Sequence, residues 1–458
     1  MPLSRRDLLA GIALSPMGLH AALSAADFRT LAPTPPMGWN SWDCYATTIN
    51  EEAALANAAV MAEKLLPHGY HIFTIDAQWN EPLANGFEYR KNAELAMDQW
   101  GRLIPAANRF PSAAHGAGFK PLAAKLHRLG LKFGLHMMRG VPRQAADRNL
   151  PILGTRYRCG EIADRVNVCS WNSDMYGIDM SKPGAQAYYD SVIGLWASWD
   201  VDFIKADDMS RPYLRNEPEI HALRQAIDRS RRPILLSLSP GETPLAAAAD
   251  VAQNANMWRI SDDFWDTWPL LLEQFERLKN WSAHRRPGNW PDADMLPFGT
   301  LELGQRQTRF SPDEQRSVMT LWSIARSPLI VGADLALLDD ATLALLTNDE
   351  VLAVNQASRN NRELLHRDRL VVWQALSPRD DVYVAIFNLD DPVAGAAAAP
   401  VPIKLAELGI SASARVRDLW QRADLGNFDD TLNTFAPRIP GHGAALFRLT
   451  PCDVCLVS

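Results

Sequence analysis

Beyond its first 26 residues, the chain of 458 residues has no apolar run long enough to cross a membrane. A spanning helix needs about 20 predominantly apolar residues, and the strongest internal candidate, residues 329–346, is interrupted by Asp334, Asp339 and Asp340. The chain also lacks a net positive charge, since 53 Asp and Glu residues outnumber 46 Lys and Arg residues and the net charge is −7. Nucleic acids and anionic membranes attract clustered positive charge, so neither is expected as a partner.

Cysteine is sparse as well, with five residues in the whole chain. Cys159 and Cys169 lie ten residues apart in a loop-like region, and we consider them candidates for a local disulfide. Cys452 and Cys455 form a C-x-x-C pair. Without a second pair at suitable spacing, this pair favours a disulfide or two free thiols over a zinc site.

Residues 1–26 have the features of an export signal rather than of a folded domain. Arg5 and Arg6 follow Ser4, an apolar run comes next, and small residues suited to cleavage end the segment. This pattern predicts a twin-arginine-type signal and a periplasmic or extracellular location. No cysteine directly follows the apolar run, since the first cysteine of the chain is Cys44, so a lipid anchor is not expected.

Short apolar segments alternate with amphipathic stretches over most of the remaining chain. Strand-like segments include YHIFTID (70–76), LKFGLHMM (131–138), VDFIK (201–205) and PILLSLS (233–239). Strand followed by helix, repeated about eight times, predicts a (β/α)8 TIM barrel over residues 27–358. A doubly wound open sheet is the alternative, but no glycine-rich phosphate loop follows the first strand.

The pattern changes past residue 358. Segments such as LVVWQAL and DVYVAIFNLD alternate apolar and polar residues and are separated by Pro, Gly and Asp clusters. This is typical of antiparallel strands with one buried face. We therefore predict a C-terminal antiparallel β-sandwich over residues 359–458.

Acidic residues follow four of the predicted barrel strands. They are Asp76, the pair Asp207 and Asp208, the pair Asp262 and Asp263, and Asp292 with Asp294. Any single Asp at such a position could be a helix cap. Because the working residues of an α/β barrel lie at the carboxyl ends of its strands, four such positions together predict an active site at that rim.

Side-chain alternation along a strand separates the two carboxylates of the FIKADD segment. Lys205 and Asp207 point to one side and Asp208 to the other. A lysine keeps a neighbouring carboxylate ionised, as a nucleophile requires. Two Asp residues from two strands could then cleave a glycosidic bond. A Mg²⁺-dependent lyase or isomerase stays open, whereas His136 is the one strand-end histidine, too few for a zinc site built on several histidines.

Five motifs in order resemble glycoside hydrolase family 27, which contains α-galactosidases and α-N-acetylgalactosaminidases. They are TPPMGWNSWDCY, IDAQW, FIKADD, WRISDDFWDTW and WPDADML. The resemblance covers about residues 33–450 and implies Asp207 as the nucleophile of a retaining double displacement. It implies Asp263 as the acid/base, four residues after Arg259 and five before Trp268. The sugar contacts it implies are Trp42, Asp76, Lys205, Arg259 and Asp294, and no metal or organic cofactor is needed.

Several residues depart from the family pattern, so the sugar is less certain than the reaction. Ala77 replaces the second of two adjacent Asp residues in many members, and His136 replaces a tyrosine. Ser239 replaces a Glu that would touch the 2-substituent, as in the N-acetylgalactosaminidase branch. The segment 139–172 is longer than in animal and plant enzymes and is expected in the pocket wall. We expect Asp208 to anchor a loop or line the pocket edge.

The leading hypothesis is a secreted exo-glycosidase that removes terminal α-galactoside-type sugars from an oligosaccharide or glycoconjugate. The same mechanism on α-N-acetylgalactosaminides, β-L-arabinopyranosides or α-glucosidic dextran ends stays open; L-arabinopyranose matches galactose without its C6 arm. A non-catalytic carbohydrate-binding barrel is an alternative of another class. The chain's 15 tryptophans fit either core aromatics or sugar-stacking platforms.

Overall fold

The computed structural model describes residues 27–393, 398 and 400–452. The predicted export signal and Cys455 lie outside these residues, so the signal and the Cys452–Cys455 pair stay predictions. No helix in the described part is long and apolar enough to span a membrane.

Eight parallel strands form the predicted barrel, and neighbours in the chain pair side by side. They are β1 Met37–Asn40, β2 Ile72–Ile75, β3 Lys132–Met138, β4 Phe203–Asp207, β5 Leu235–Leu238, β6 Met257–Arg259, β7 Trp290–Asp292 and β8 Leu329–Val331. Strand β8 pairs with β1. Leu296, just after β7, makes a parallel bridge to Val331 and closes the ring.

A helix follows each strand, as the alternating pattern predicts. The helices are α1 Glu51–Val60, α2 Lys120–Arg128, α3 Ala185–Ser198, α4 Tyr213–Ser230, α5 Ala248–Asn254, α6 Trp268–Trp281, α7 Pro312–Ala325 and α8 Asp349–Ala357. Local sequence explains where they begin: Asn50 accepts a hydrogen bond from the Ala53 N–H at 2.9 Å. Ser311 and Glu314 form a reciprocal capping box at α7.

The barrel strands are buried almost throughout, because helices cover their outer side and side chains fill the interior. Several tryptophan side chains belong to this core. Trp39, for example, stacks on Phe73 with ring centroids 4.5 Å apart. Trp258 and Trp290 are fully buried as well. These rings stabilise the barrel and are inaccessible to a sugar.

The C-terminal domain is antiparallel, as predicted, and its described strands form one six-stranded sheet. They are β9 Arg359–Arg367, β10 Leu370–Leu376, β11 Val382–Asn388, β12 Ser413–Asp418, β13 Ala423–Asp429 and β14 Ala444–Cys452, in the order β9-β10-β11-β14-β12-β13. Alternation along β11 divides its side chains between two cores. Val384 belongs to the domain's own core, whereas Phe387 packs on Phe275 of the barrel with centroids 5.0 Å apart.

Two long loops leave the barrel rim where the acidic residues lie. One follows β2, and the other follows β3 and contains the short paired strands Val141–Pro142, Ala163–Asp164 and Met175–Ile178. Further short helices are Trp42–Tyr45, Arg143–Asp147, Cys159–Ile162 and Asp340–Leu346, and a hairpin joins Thr300–Leu301 to Arg306–Gln307.

The predicted disulfide between Cys159 and Cys169 is wrong, since both residues are free thiols. Cys159 packs in the main core, and its Sγ lies 3.9 Å from the Trp100 carbonyl oxygen. Cys169 lies in a separate small cluster with Met138 and Met175. Spacing along the chain could not reveal that the loop carries the two thiols to different apolar clusters.

Candidate active site

Asp207 ends strand β4 and is almost completely buried at the barrel mouth. Its Oδ2 lies 2.8 Å from His136 Nε2, which comes from the neighbouring strand β3. Its Oδ1 has no hydrogen-bond partner among the described residues. One carboxylate oxygen is therefore held by the protein while the other is available to a ligand.

Lys205 lies two residues before Asp207 and faces the same interior. Its Nζ donates to Asp76 Oδ2 at 2.8 Å, and Asn40 Nδ2 donates to the same oxygen at 2.6 Å. Burial would lower the pKa of Lys205, but Asp207 and Asp76 raise it above its ordinary value. The lysine is a fixed cation between two carboxylates.

The charges around Asp207 keep it ionised. Burial alone would raise the pKa of Asp207, yet Lys205 and His136 bring it down to about 2. Arg259 acts in the same direction. At neutral pH the carboxylate is an anion, which is the form a nucleophile needs.

Asp262 and Asp263 follow Arg259, which ends β6, and the two carboxylates have different ion-pair partners. Arg259 Nη2 donates to Asp263 Oδ1 at 3.1 Å. Asp262 instead pairs with Arg211, 2.6 Å from Nη2, toward the outside of the cleft. The Asp263 side chain is 53% exposed, so it is both linked to the central charges and open to a ligand.

Asp294, after β7, lies deeper than Asp263. Arg259 Nη1 lies 2.7 Å from its Oδ1, and the Phe264 N–H donates to its Oδ2 at 2.7 Å. Burial raises the pKa of Asp294 to about 7. Asp294 is therefore partly protonated at neutral pH. Asp263, and not Asp294, lines the cleft.

Asp208 points away from Lys205, as strand alternation predicts. Its Oδ2 accepts from Arg139 Nη2 at 2.7 Å, and the Nη1 of the same guanidinium donates to Glu219 at 2.6 Å. Burial raises the pKa of both carboxyls, against the opposing effect of Arg139. Because Arg139 begins the long loop after β3, this buried group anchors that loop to the end of β4.

A cleft of about 700 Å³ opens over these residues. Among the predicted site residues, those that line it are Trp42, Lys205, Asp207, Asp208 and Asp263. The others, Asp76, His136, Ser239, Arg259 and Asp294, lie beneath the cleft and are buried. Ser239 lies 3.5 Å from Arg259 Nη1. The fold thus gathers the ten residues at one rim, while their individual roles stay predictions.

The sequence reasoning missed Tyr89, which lies in the loop after β2. Its ring stacks on Trp42, with centroids 5.8 Å apart and planes 17° apart. Burial raises the pKa of Tyr89 well above its ordinary value, and Asp207 and Asp76 add to the effect. The phenol therefore lies close to the central carboxylates, although no motif in its segment GFEY marks it.

Asp43 was missed as well, whereas Trp171 was predicted only as part of the segment 139–172 expected in the pocket wall. Asp43 is fully buried under the site, and burial together with Asp294 raises its pKa well above the ordinary value. It lies within the SWDCY segment, where its negative charge is the one feature of the sequence that could have marked it as a site residue. Trp171 comes from the long loop after β3 and lines the cleft.

Two groups of side chains in the described part of the chain could hold a metal ion. Asp76, His136 and Asp207 bring one ligand atom each within 4.8 Å of one another. The ammonium of Lys205 already provides positive charge there, 2.8 Å from Asp76. The second group, Glu217, His221 and Asp250, lies away from the cleft on α4 and α5.

Family models match both halves of this architecture. Residues 168–357 match a model described as alpha galactosidase A, and residues 367–449 match the alpha galactosidase C-terminal beta sandwich domain. "Alpha-galactosidase 3" of Arabidopsis thaliana is 29% identical over 93% of this chain and 83% of its own length.

Two solved structures are more similar in sequence. A GH27 β-L-arabinopyranosidase from Geobacillus stearothermophilus is 46% identical, with a TM-score of 0.90 over 94% of this chain and 99% of its own. A candidate α-N-acetylgalactosaminidase from Bacillus halodurans is 43% identical, with a TM-score of 0.81 over 91% of this chain and 97% of its own.

Proposed function

The chain belongs to glycoside hydrolase family 27, and from that premise we propose that it is a retaining exo-glycosidase with Asp207 as nucleophile and Asp263 as acid/base. One observation carries the proposal: Asp207 is buried, ionised and has Oδ1 unpaired at the floor of the cleft, while Asp263 is half-exposed beside it. One fixed anion and one accessible carboxyl are what double displacement requires.

In the first step, Asp207 Oδ1 attacks the anomeric carbon while Asp263 donates a proton to the leaving oxygen. This breaks the glycosidic bond and forms a glycosyl-aspartate ester. In the second step, Asp263 accepts a proton from water, which attacks the same carbon and releases the sugar with its original configuration. Lys205 keeps Asp207 ionised before the attack and stabilises the carboxylate again when the ester is hydrolysed, and Asp76 with Lys205 is placed to bond the sugar hydroxyls.

Among the possible sugars, we favour β-L-arabinopyranose, with α-D-galactopyranose as the second substrate. The two rings share their hydroxyl configuration, but arabinopyranose lacks the C6 arm. Ala77 has a methyl group where many family members have a carboxylate, so one polar contact to the sugar is removed. The 46% identity to the Geobacillus stearothermophilus β-L-arabinopyranosidase supports the same preference.

An N-acetylgalactosaminide is a weaker candidate. Ser239 is small enough to suggest room for a 2-acetamido group, and the 43% identical relative supports that idea. Yet Ser239 is 1% exposed and lines an interior space of about 20 Å³, below the cleft. That space accommodates about one water molecule, which is less than an acetamido group needs. α-Glucosidic dextran ends have no feature of the site in their favour.

We further propose that the enzyme works outside the cytoplasm. The paired arginines, apolar run and small residues of segment 1–26 support export in the folded state. A fusion of this segment to a reporter protein should be exported. The matched control, the same fusion with Arg5→Lys and Arg6→Lys together, should not be exported.

A panel of nitrophenyl glycosides tests the sugar directly. We expect the highest kcat/KM on the β-L-arabinopyranoside, a lower value on the α-galactoside, and little on the α-N-acetylgalactosaminide or α-glucoside. The reverse variant Ala77→Asp should shift the ratio toward the α-galactoside by restoring a polar partner. A wild-type preference for the α-N-acetylgalactosaminide would refute the sugar assignment but leave the mechanism intact.

A further inference from the structure

We infer that His442 of the C-terminal domain is a positioning residue for the acid/base carboxyl of Asp263, and that it acts through Trp268. The inference rests on the proposed glycosidase function, because Asp263 must be the acid/base residue for it to hold. It goes beyond that function by giving the C-terminal domain a part in the reaction. The observation that carries it is a stack between the rings of His442 and Trp268, which belong to different domains.

Asp263 lies in a connection without regular secondary structure between strand β6 and helix α6. The connection covers residues 260–267, and Trp268 is the first residue of α6. In the described part of the chain, the Asp263 carboxylate has one hydrogen bond, from Arg259 at 3.1 Å, and its side chain is 53% exposed. The position of the carboxyl therefore depends on how the backbone of the connection is held.

The barrel itself holds the middle of this connection. The Phe264 N–H donates to Asp294 Oδ2 at 2.7 Å, and Arg306 Nη2 donates to Asp266 Oδ1 at 3.0 Å. Neither bond reaches Trp268, whose indole Nε1 is buried and has no hydrogen-bond partner among the described residues. Packing, rather than a hydrogen bond, therefore fixes this ring at the far end of the connection.

The imidazole of His442 provides packing for Trp268 from the C-terminal domain. The two ring centroids lie 3.7 Å apart, and the ring planes are 14° apart. At this separation the faces of the two rings are in van der Waals contact. Stacked aromatic pairs stabilise a structure beyond the area that they bury. The contact therefore joins the first turn of α6 to the C-terminal domain.

Contacts from both domains hold His442 in place. Its ring Nδ1 donates to Glu314 Oε1 at 2.8 Å, since a carboxylate oxygen only accepts, and its Nε2 lies 3.3 Å from Asp391 Oδ1. The Ser317 hydroxyl donates to the His442 carbonyl oxygen at 2.6 Å. Because Glu314 and Ser317 belong to barrel helix α7, whereas Asp391 belongs to the C-terminal domain, the imidazole is a fixed surface at the domain boundary.

The backbone at His442 has a conformation that most side chains avoid. Its φ angle is 59°, in the left-handed region, where histidine, asparagine and aspartate are enriched among the residues other than glycine. Glycine adopts this angle without strain, so the chain places an imidazole where the backbone favours glycine. Strain of this kind persists where the surrounding contacts over-determine the conformation, and it is concentrated at functional sites.

Loss of the stack should weaken acid catalysis more than the other parts of the reaction. A general acid contributes about 10²–10⁴-fold and must lie within hydrogen-bond reach of the leaving oxygen. A displaced Asp263 would lose part of this factor, but a leaving group that departs without protonation would not be affected. His442→Asn should therefore lower kcat/KM on a methyl glycoside, relative to the nitrophenyl glycoside of the same sugar, by about tenfold.

The choice of asparagine separates the ring from the other properties of His442. Asparagine tolerates the left-handed backbone and keeps a donor for Glu314, but it has no ring to stack on Trp268. His442→Gly, which also suits this φ angle, is a second variant without a ring and should show the same selective loss. If both variants are folded by circular dichroism and lower the two rates equally, or lower neither, the positioning role is overturned.

Variants of Trp268 test whether the effect passes through this ring. Trp268→Leu should show the same selective loss, and Trp268→Phe, which keeps a ring, should retain most of the methyl glycoside rate. Adding His442→Asn to Trp268→Leu should change the ratio of the two rates by less than about twofold, because the partner ring is already absent. A double variant in which the two selective losses multiply would overturn the route through Trp268.

Arg417→Met is the matched control for a loosened C-terminal domain. Arg417 donates to both carboxylate oxygens of Glu350 on α8, each at 2.7 Å, so it joins the same two domains without contacting α6. This variant should leave the ratio of the two rates at its wild-type value. A selective loss as large as that of His442→Asn would mean that any loosening of the domain has this effect, and it would overturn the specific role of His442.

Asp263→Ala distinguishes failure of this inference from failure of the proposed function. It should show a selective loss on the methyl glycoside that is larger than that of His442→Asn. If Asp263→Ala shows this loss and His442→Asn does not, the inference fails and the proposed mechanism stands. If Asp263→Ala lowers both rates equally, the acid role of Asp263 fails, and the positioning role of His442 fails with it.

Discussion

Replacing Arg139 by methionine tests how the wall of the cleft is held to the nucleophile strand. Arg139 is the cation between two buried carboxylates, 2.7 Å from Asp208 and 2.6 Å from Glu219. Methionine fills a similar space but leaves both carboxylates without a counter-charge. Removing one partner of a buried ion pair costs about 3–5 kcal/mol, so we expect the free energy of unfolding to fall by that amount at pH 7.

The loss should depend on pH in a definite direction. Burial already raises the pKa of Asp208 and Glu219, and loss of Arg139 raises it further. A group with a raised folded-state pKa contributes stability that is present below its unfolded pKa, about 3.9 for Asp and 4.3 for Glu, and is lost as pH rises through the folded value. The variant should therefore be closest to wild type near pH 4 and furthest from it near pH 8.

Urea unfolding followed by tryptophan fluorescence at both pH values measures the effect. Arg148→Met is the matched control, because Arg148 belongs to the same loop but pairs with Glu94 at the surface, 3.2 Å away. Exposed pairs are worth about 1 kcal/mol or less. If Arg139→Met lost no more than this control, or lost the same at pH 4 and pH 8, the buried-charge explanation would be refuted.

Three further predictions concern the catalytic carboxyls and their surroundings. Asp263→Ala should lower the rate on a nitrophenyl glycoside far less than on an unactivated oligosaccharide, since a good leaving group needs little protonation; equal steady-state losses would count against the acid role. Activity should persist in EDTA, because Lys205 already supplies positive charge 2.8 Å from Asp76; loss that Mg²⁺ reverses would favour a lyase or isomerase. Asp294→Asn should become more stable relative to wild type as pH rises from 4 to 8, because burial raises the folded pKa of Asp294 to about 7 and the wild type loses stability over that range; parallel urea-unfolding profiles of the two proteins would contradict this shift.

The fold could be predicted from the sequence because its signals are local. Strand and helix periodicity alternates over the barrel, and caps such as Asn50 and Ser311 mark helix starts. That Lys205 and Asp207 share one side of their strand, opposite Asp208, also follows from alternation alone. Alternation does not predict whether Asp262 or Asp263 faces the centre of the cleft, because that depends on where the guanidinium groups of Arg259 and Arg211 lie.

The segment 139–172 was expected in the pocket wall, but the aromatic contacts there could not be predicted, because they depend on contacts between distant loops. Tyr89 and Trp171 are 82 positions apart in the chain, and their rings meet only when the loops after β2 and β3 are folded. The same dependence explains the wrong disulfide between Cys159 and Cys169. Local spacing carries no information about which cluster such a loop residue joins.

Azide rescue of the two alanine variants tests together whether Asp207 forms the covalent intermediate and whether Asp263 assists it as acid and base. Asp207→Ala should regain activity with azide and release a glycosyl azide of inverted anomeric configuration, because azide then replaces the nucleophile. Asp263→Ala should release a glycosyl azide of retained configuration, because azide attacks the intermediate on Asp207. Proton NMR of the two products distinguishes these outcomes. Retained configuration from Asp207→Ala, or near-normal activity of that variant without azide, would contradict the covalent role of Asp207.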